Sequence, residues 1–511
     1  MLLAPLGLTE IPPLLDYPNH LARMDILANV AKDPELARIY GSSWQIVPNI
    51  GIDLAMPALM GVLSLTAAGK VFLGLALLTP LIGVVVLHRV LFRTVSYWPF
   101  AAGLVVYNRL FFTGFINFLI GVGLALLGAA LWFALLERKA ALRVGTALVA
   151  AIVIFFCHLI AAGFYGLLLL GFEIDRARRL GFSWFRLLLM LVPFIVPAAF
   201  YLRAPINESD ADQGHGLLNA VKQYYWAWVA EPPGLKSYGV LGPFLTYDRL
   251  LDVAAVLLVL FVLGLCAMSC RLRVTPAVGG VFAVLMIAYP IIPFTLMKTS
   301  WVDQRLPILA GFLIFAGTLP RLPTRRTTML IAAALAVAIG ARTFEIAVDW
   351  SGRDAVLADF RQVIAPVAAG DRVLVVQAER NGDIDAMVNR PDSVRSMRDN
   401  DSTMHLPALL VFEHKAFWPL LFSAPSKQPV KVLPSYTELS LPEGELPWIG
   451  GLADLDPGTL KFAPYLPGWE KKFDWVLVMR PAEAPHGYDL LPDRLEPATQ
   501  GKIAALYRIK K

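Results

Sequence analysis

The feature that most constrains this chain is a series of apolar runs of about 20 residues, the length an α-helix needs to cross the hydrocarbon layer of a bilayer. The clearest is 71–90, VFLGLALLTPLIGVVVLHRV. A block at 98–136 is too long for one crossing and is interrupted by YNRLFFTGFIN, so it reads as two helices joined near Thr113. Residues 145–174 read as two crossings meeting at HLIAAG, and further spans are expected at 185–201, 251–269, 276–293, 306–319 and 329–341. About ten crossings result, and the expected fold class is a polytopic α-helical membrane protein with a C-terminal soluble α/β domain. Composition supports this, since 57% of the 511 residues are hydrophobic and only 16% are charged. Such a balance excludes an ordinary water-soluble globular domain. The formal charge of +6 does not point to nucleic acid, because Lys and Arg cluster in short loops between the apolar runs, where they set topology. Cys157, Cys266 and Cys270 lie in or beside apolar runs without metal-ligand spacing, so cysteine chemistry is not expected.

Orientation follows from the basic loops. ERKAALR (137–143), DRARRLGFSWFR (175–186), CRLR (270–273) and PRLPTRR (320–326) fall on one side if the crossings alternate. The positive-inside rule makes that side cytoplasmic. Residues 10–70, the loop 203–247, the link MKTSWVDQR and everything after about 343 then face outward. In a bacterial inner membrane that side is the periplasm. The opening MLLAPLGL reads as the last turns of a first helix, so the natural chain is expected to start upstream. The organisation expected is a first external loop with surface helices over 1–70, a transmembrane bundle over 71–345 and an external α/β domain over 346–511. In that last part DAVLADFRQVIAPV has helical spacing, and DRVLVVQ, PVKVLP, FDWVLVM and AALYRIK read as short buried strands. No Gly-rich phosphate loop or nucleophile elbow is present.

The polar stretch LLDYPNHLAR near the start carries the most chemistry. Pro18 suits the first position of a helix, and Leu21, Met24, Leu27 and Ala28 give it an apolar face. Asp16 then stands just ahead of a surface helix, where it either caps the helix or acts as a base. His20 and Arg23, three residues apart, share a face and are either solvated or part of the site. Asp53 in VPNIGIDLAMP caps a second surface segment or supplies a second acid. A carboxylate at the outer mouth of a helical bundle suits transfer from a lipid-borne donor to a water-borne acceptor. Such a transfer needs a cation for the departing phosphate. Arg305, Arg109 and Lys298 lie on the same expected side, each either an interfacial anchor or a phosphate contact, with Asp303 a possible partner for Arg305. His158, inside an apolar run, either makes a helix-to-helix hydrogen bond or lines the site. The loop NESDADQGHG offers Glu208, Asp210, Asp212 and His215, either solvated or ligands for a divalent cation such as Mg or Mn.

On DYPNHLAR, the surface segment PNIGIDL and the basic external link VDQR, the arrangement resembles the GT-C superfamily of membrane glycosyltransferases. The resemblance covers residues 1 to about 345 as an architecture. It implies a polyprenyl-phosphate-linked sugar donor and a glycan, lipid or protein acceptor. It further implies inversion at the sugar carbon, with Asp16 as base and Arg305 as a phosphate contact. Two other classes stay open at this level. A transporter or flippase for envelope polysaccharide predicts inverted repeats, and none is visible. A scaffold protein leaves Asp16 dispensable.

Overall fold

The computed structural model of the protein describes residues 1–204, 236, 239–294, 299–378, 395–397, 400–425, 427–481, 491 and 493–511. They divide into two compact units. One comprises Met1–Ala4, Ile46–Ile52 and Phe72–Ile346; the other comprises Pro5–Gln45, Asp53–Val71 and Ala347–Lys511.

The first unit is built from the apolar runs. Among the described residues of the chain six helical stretches are long and apolar enough to cross a membrane: Leu65–Phe92, Ile116–Ala134, Ala140–Cys157, Trp184–Arg203, Arg249–Met268 and Arg325–Ile364. Two further runs form the shorter apolar helices Pro276–Ala288 and Arg305–Gly317. The block at 98–136 breaks next to the expected place. Asn108 accepts from the amides of Leu110 and Phe111 to start the short helix Arg109–Thr113, and Gly114, at φ 99°, ends it in the left-handed region that glycine tolerates. The part before it is not a single span. Residues 98–106 form a short 3-10 turn and one helical turn, because Pro99 admits only the start of a helix and Tyr107 is extended.

Close backbone approach holds the long helices together. A Cβ on Gly123 would lie 2.3 Å from the carbonyl carbon of Thr79, and one on Gly83 would lie 2.8 Å from the carbonyl oxygen of Gly123. Small residues at such crossings let two helix backbones approach closely. One buried charge pair ties Arg249–Met268 to Arg325–Ser351: Arg342 Nη1 is 2.5 Å from Asp252 Oδ1, while Thr246 donates to the same carboxylate from its amide and hydroxyl at 2.9 and 2.6 Å. Arg342 Nη2 also donates to the Phe244 carbonyl at 2.8 Å. A buried pair is stable only when its remaining donors and acceptors are met in this way.

The second unit is α/β. Its sheet runs in the order Val373–Gln377, Trp475–Met479, Ala504–Ile509, Leu495–Gln500, with the first two strands parallel and the rest antiparallel. The helix Arg353–Ile364 buries Leu357, Phe360, Val363 and Ile364 on one face and packs on the last two strands. Three of the four apolar segments expected as strands are in this sheet. The fourth, Val430–Val432, instead pairs antiparallel with Tyr40–Ser42, near the chain start, in the register Tyr40 to Val432 and Ser42 to Val430. The early residues are thus part of this unit's core. Asn19, fully buried, donates to the Leu420 carbonyl at 3.1 Å and accepts from the Phe422 amide at 2.8 Å. Arg361 bridges Glu10 and Glu413, and Lys415 reaches Asp25 at 2.9 Å.

Candidate functional site

Two clusters collect the residues singled out above, one in each unit. In the α/β unit the helix Tyr17–Asn29 begins with Pro18 in its first turn, and Asp16 occupies the position before it. Its side chain makes no capping hydrogen bond. The carboxylate, 15% exposed, instead faces His405, whose Nδ1 is 3.2 Å from Asp16 Oδ1. That separation is within hydrogen-bonding distance, while the angle is not yet that of a formed bond. His405 itself is 7% exposed and is wedged edge-on between two aromatic rings, Phe422 at 5.1 Å and Trp418 at 6.1 Å between centroids. His20, one turn along the helix from Asp16, meets the same Phe422 at 5.6 Å. His20 and His405 therefore meet the same phenylalanine, and Asp16 faces the second of them.

Arg23 lies two turns beyond Asp16 and is committed to Asp53. Its Nε and Nη2 donate to the two carboxylate oxygens at 2.6 and 3.0 Å, with the side chains 1% and 0% exposed. Asp53 stands in the first turn of Gly51–Leu59. The two acids found near the start of the chain thus have different surroundings: Asp53 is closed off by a guanidinium, whereas Asp16 keeps contact with solvent.

In the helical unit Arg109, Arg305 and His158 come together around aromatic rings. Arg109 lies over Trp301 at 4.8 Å, Trp301 meets Phe115 edge-on at 6.5 Å, and Arg305 lies over Phe115 and Phe118 at 4.9 and 5.8 Å. Cation–π contacts of this kind hold a guanidinium in a weakly polar site. His158 packs against Phe118 at 5.3 Å. Trp301 adopts φ 63°, a conformation costly for a bulky residue and kept where surrounding structure enforces it. Arg305 is 4% exposed; its Nη1 donates to the Ser300 carbonyl at 3.1 Å, and its Nε has no partner among the described residues. Asp303 is not its hydrogen-bond partner. That carboxylate accepts from the Gln304 amide at 2.7 Å and lies 3.6 Å from Lys236 Nζ.

His158 has a clear local role. It is extended, at φ −169°, between the helices Ala140–Cys157 and Leu159–Leu180, and its Nδ1 accepts from the Ile160 amide at 3.1 Å. An imidazole that accepts at Nδ1 carries its proton on Nε2. It thus caps the second helix while facing the arginine cluster. Lys298 and the loop residues Glu208, Asp210, Asp212 and His215 lie outside the described residues. Among the described residues no three His, Cys, Asp or Glu side chains are grouped so as to hold a metal ion.

His405 was not recognisable from the sequence. In STMHLPALL it reads as a polar residue before a proline-led turn, and only the packing of 402–423 on Tyr17–Asn29 brings it to Asp16. Compared with protein-family models, curated proteins and solved structures, the chain matches none.

Proposed function

We propose that the protein is a membrane glycosyltransferase of GT-C type, with about ten crossings, that moves a sugar from a polyprenyl-phosphate-linked donor to a hydroxyl of a glycan, lipid or protein. The reaction would take place at the outer face of a bacterial inner membrane. The observation that carries this reading is the state of Asp16: a carboxylate at a helix start that forgoes capping, stays 15% exposed and faces a buried histidine. A carboxylate left available in this way suits general-base chemistry. In the reaction it accepts the proton of the acceptor hydroxyl, whose oxygen bonds to the anomeric carbon from the face opposite the phosphate. The bond from that carbon to the phosphate oxygen breaks, and the electron pair leaves with the lipid phosphate.

In the helical unit, taken by itself, the arginine cluster has the chemistry of a phosphate contact. Arg305 and Arg109 are guanidiniums held over aromatic rings in an apolar unit, and Arg305 retains a buried N–H without a partner among the described residues. Such groups stabilise a leaving phosphate without reorganising during the reaction. Arg23, Lys298 and a divalent cation at Asp210, Asp212 and His215 remain candidate donor contacts. For Arg23 that role would require release of Asp53.

The test is Asp16→Asn and Arg305→Gln in the full-length protein, inserted in membranes at normal levels. Asp16→Asn is expected to lower transfer about 100- to 10,000-fold, and Arg305→Gln to weaken donor use. Wild-type transfer by Asp16→Asn would overturn the reading. Loss of donor translocation with transfer intact would favour a flippase, and normal behaviour of both variants would favour a scaffold.

A further inference from the structure

We propose that His405 is a positioning residue for Asp16, so that the base of the reaction is an Asp–His pair assembled from residues far apart in the chain. The inference rests on the transferase reading above. Three observations carry it. The imidazole is almost fully buried, and its Nδ1 faces Asp16 Oδ1 at 3.2 Å without any other hydrogen-bond partner among the described residues. Edge contacts to Phe422 and Trp418 flank the ring and limit how far it can turn away from Asp16. The distance is also held from the other side, because Asn19 bonds both the Leu420 carbonyl and the Phe422 amide and so fixes the start of Tyr17–Asn29 against the segment that carries Phe422.

The chemistry that follows is specific to one nitrogen and one oxygen. His405 Nδ1–H donates to Asp16 Oδ1, which sets the plane of the carboxylate and leaves Oδ2 to take the acceptor proton. No atom of His405 enters the transferred group. Contacts between a base and its orienting group are often long before substrate binds and tighten afterwards. His20 lies across Phe422 from His405, and Arg353 reaches Ser402 Oγ at 3.5 Å on the segment leading to His405.

The two amide side chains separate this role from its rivals. Asparagine places its amide nitrogen close to the position of Nδ1, glutamine places it close to Nε2, and leucine supplies neither. Full-length protein in detergent is assayed with a panel of short polyprenyl-phosphate hexoses and pentoses, reading release of polyprenyl phosphate in the presence of sugar acceptors. Hydrogen exchange of the Tyr17–Asn29 amides reports whether each variant keeps its fold. His405→Leu and His405→Gln are expected to lose about 100-fold in kcat with KM within about twofold, while His405→Asn stays within about tenfold of wild type. Should His405→Leu fail to fold, the contrast between His405→Asn and His405→Gln carries the test. Unchanged kcat in His405→Leu and His405→Gln, with Asp16→Asn inactive, would overturn the positioning role and leave the transferase standing. His405→Asn as inactive as His405→Leu would overturn it in favour of His405 acting as the base through Nε2. If the wild-type protein turns over no member of the panel, or if Asp16→Asn is fully active, the transferase reading itself fails.

Discussion

Neutralising Asp53 exposes how strongly the start of the chain is held. Asp53→Asn keeps the size of the side chain but leaves the Arg23 guanidinium, 1% exposed, without its counter-charge. Two charge-assisted hydrogen bonds, at 2.6 and 3.0 Å, lose their ionic acceptor together. Each such bond contributes about 1.5–3 kcal/mol. Breaking a buried pair by removing one partner costs about 3–5 kcal/mol, chiefly because the remaining charge is stranded. At about 1.4 kcal/mol per tenfold, that is roughly two to three and a half orders of magnitude in the opening equilibrium of Tyr17–Asn29. Native-state hydrogen exchange of that helix in detergent-solubilised full-length protein measures this directly. The double variant Arg23→Met with Asp53→Leu should recover most of the loss, since both side chains are buried and an apolar pair of similar volume carries no desolvation cost. A loss below about 1 kcal/mol in Asp53→Asn, or a double variant as unstable as the single one, would refute the assignment of this pair as a buried lock.

Two further outcomes test other parts of the structure. The Glu10 carboxyl is held below its ordinary value near 4.5, first by the hydrogen bond from Arg361 and then by the charges of Arg361 and Lys70, with burial and Asp354 opposing. A depressed carboxyl stabilises the folded state above its unfolded value and loses that contribution as pH falls through the folded one. Attachment of the first residues of the α/β unit should therefore weaken progressively below about pH 4.5. Arg361→Gln should flatten that dependence when protease sensitivity of residues 5–15 is followed between neutral and acid pH. In the helical unit, Gly123→Ala drives a methyl group into the backbone at Thr79 and Pro80, 2.3 and 2.6 Å away. Because backbone rather than a flexible side chain must yield, a loss of about 1–3 kcal/mol or more is expected as a lower thermal midpoint, whereas Gly145→Ala, where nothing lies within 4 Å, should leave the midpoint unchanged.

Local pattern was enough to read much of the secondary structure. Apolar runs of bilayer length became long helices, and the joint expected near HLIAAG falls at His158, the residue before Leu159–Leu180. The short apolar segments at 373–377, 475–479 and 504–509 became neighbouring strands. These are properties of residues close in sequence, where the period of side-chain direction is set by the backbone itself. The candidate site was legible only in part, for the same reason. Asp16 could be found from its place before Pro18, but that it leaves the helix uncapped was not visible.

What only the tertiary structure decided is which distant groups meet. PVKVLP is a strand by pattern, yet its partner is Tyr40–Ser42 and not the main sheet, because an edge takes whichever exposed strand the rest of the packing presents. Arg23 looked equivalent to His20 on one helix face, and it is the burial of Asp53 beside it that makes it a lock. His405 carries no local mark at all, and it becomes a candidate for the chemistry only because 402–423 folds back onto the first helix. Sequence alone determined most of the elements and singled out the acid at the start of the chain. Its partners were decided by packing, since burial and pairing across hundreds of residues leave no periodic trace along the chain.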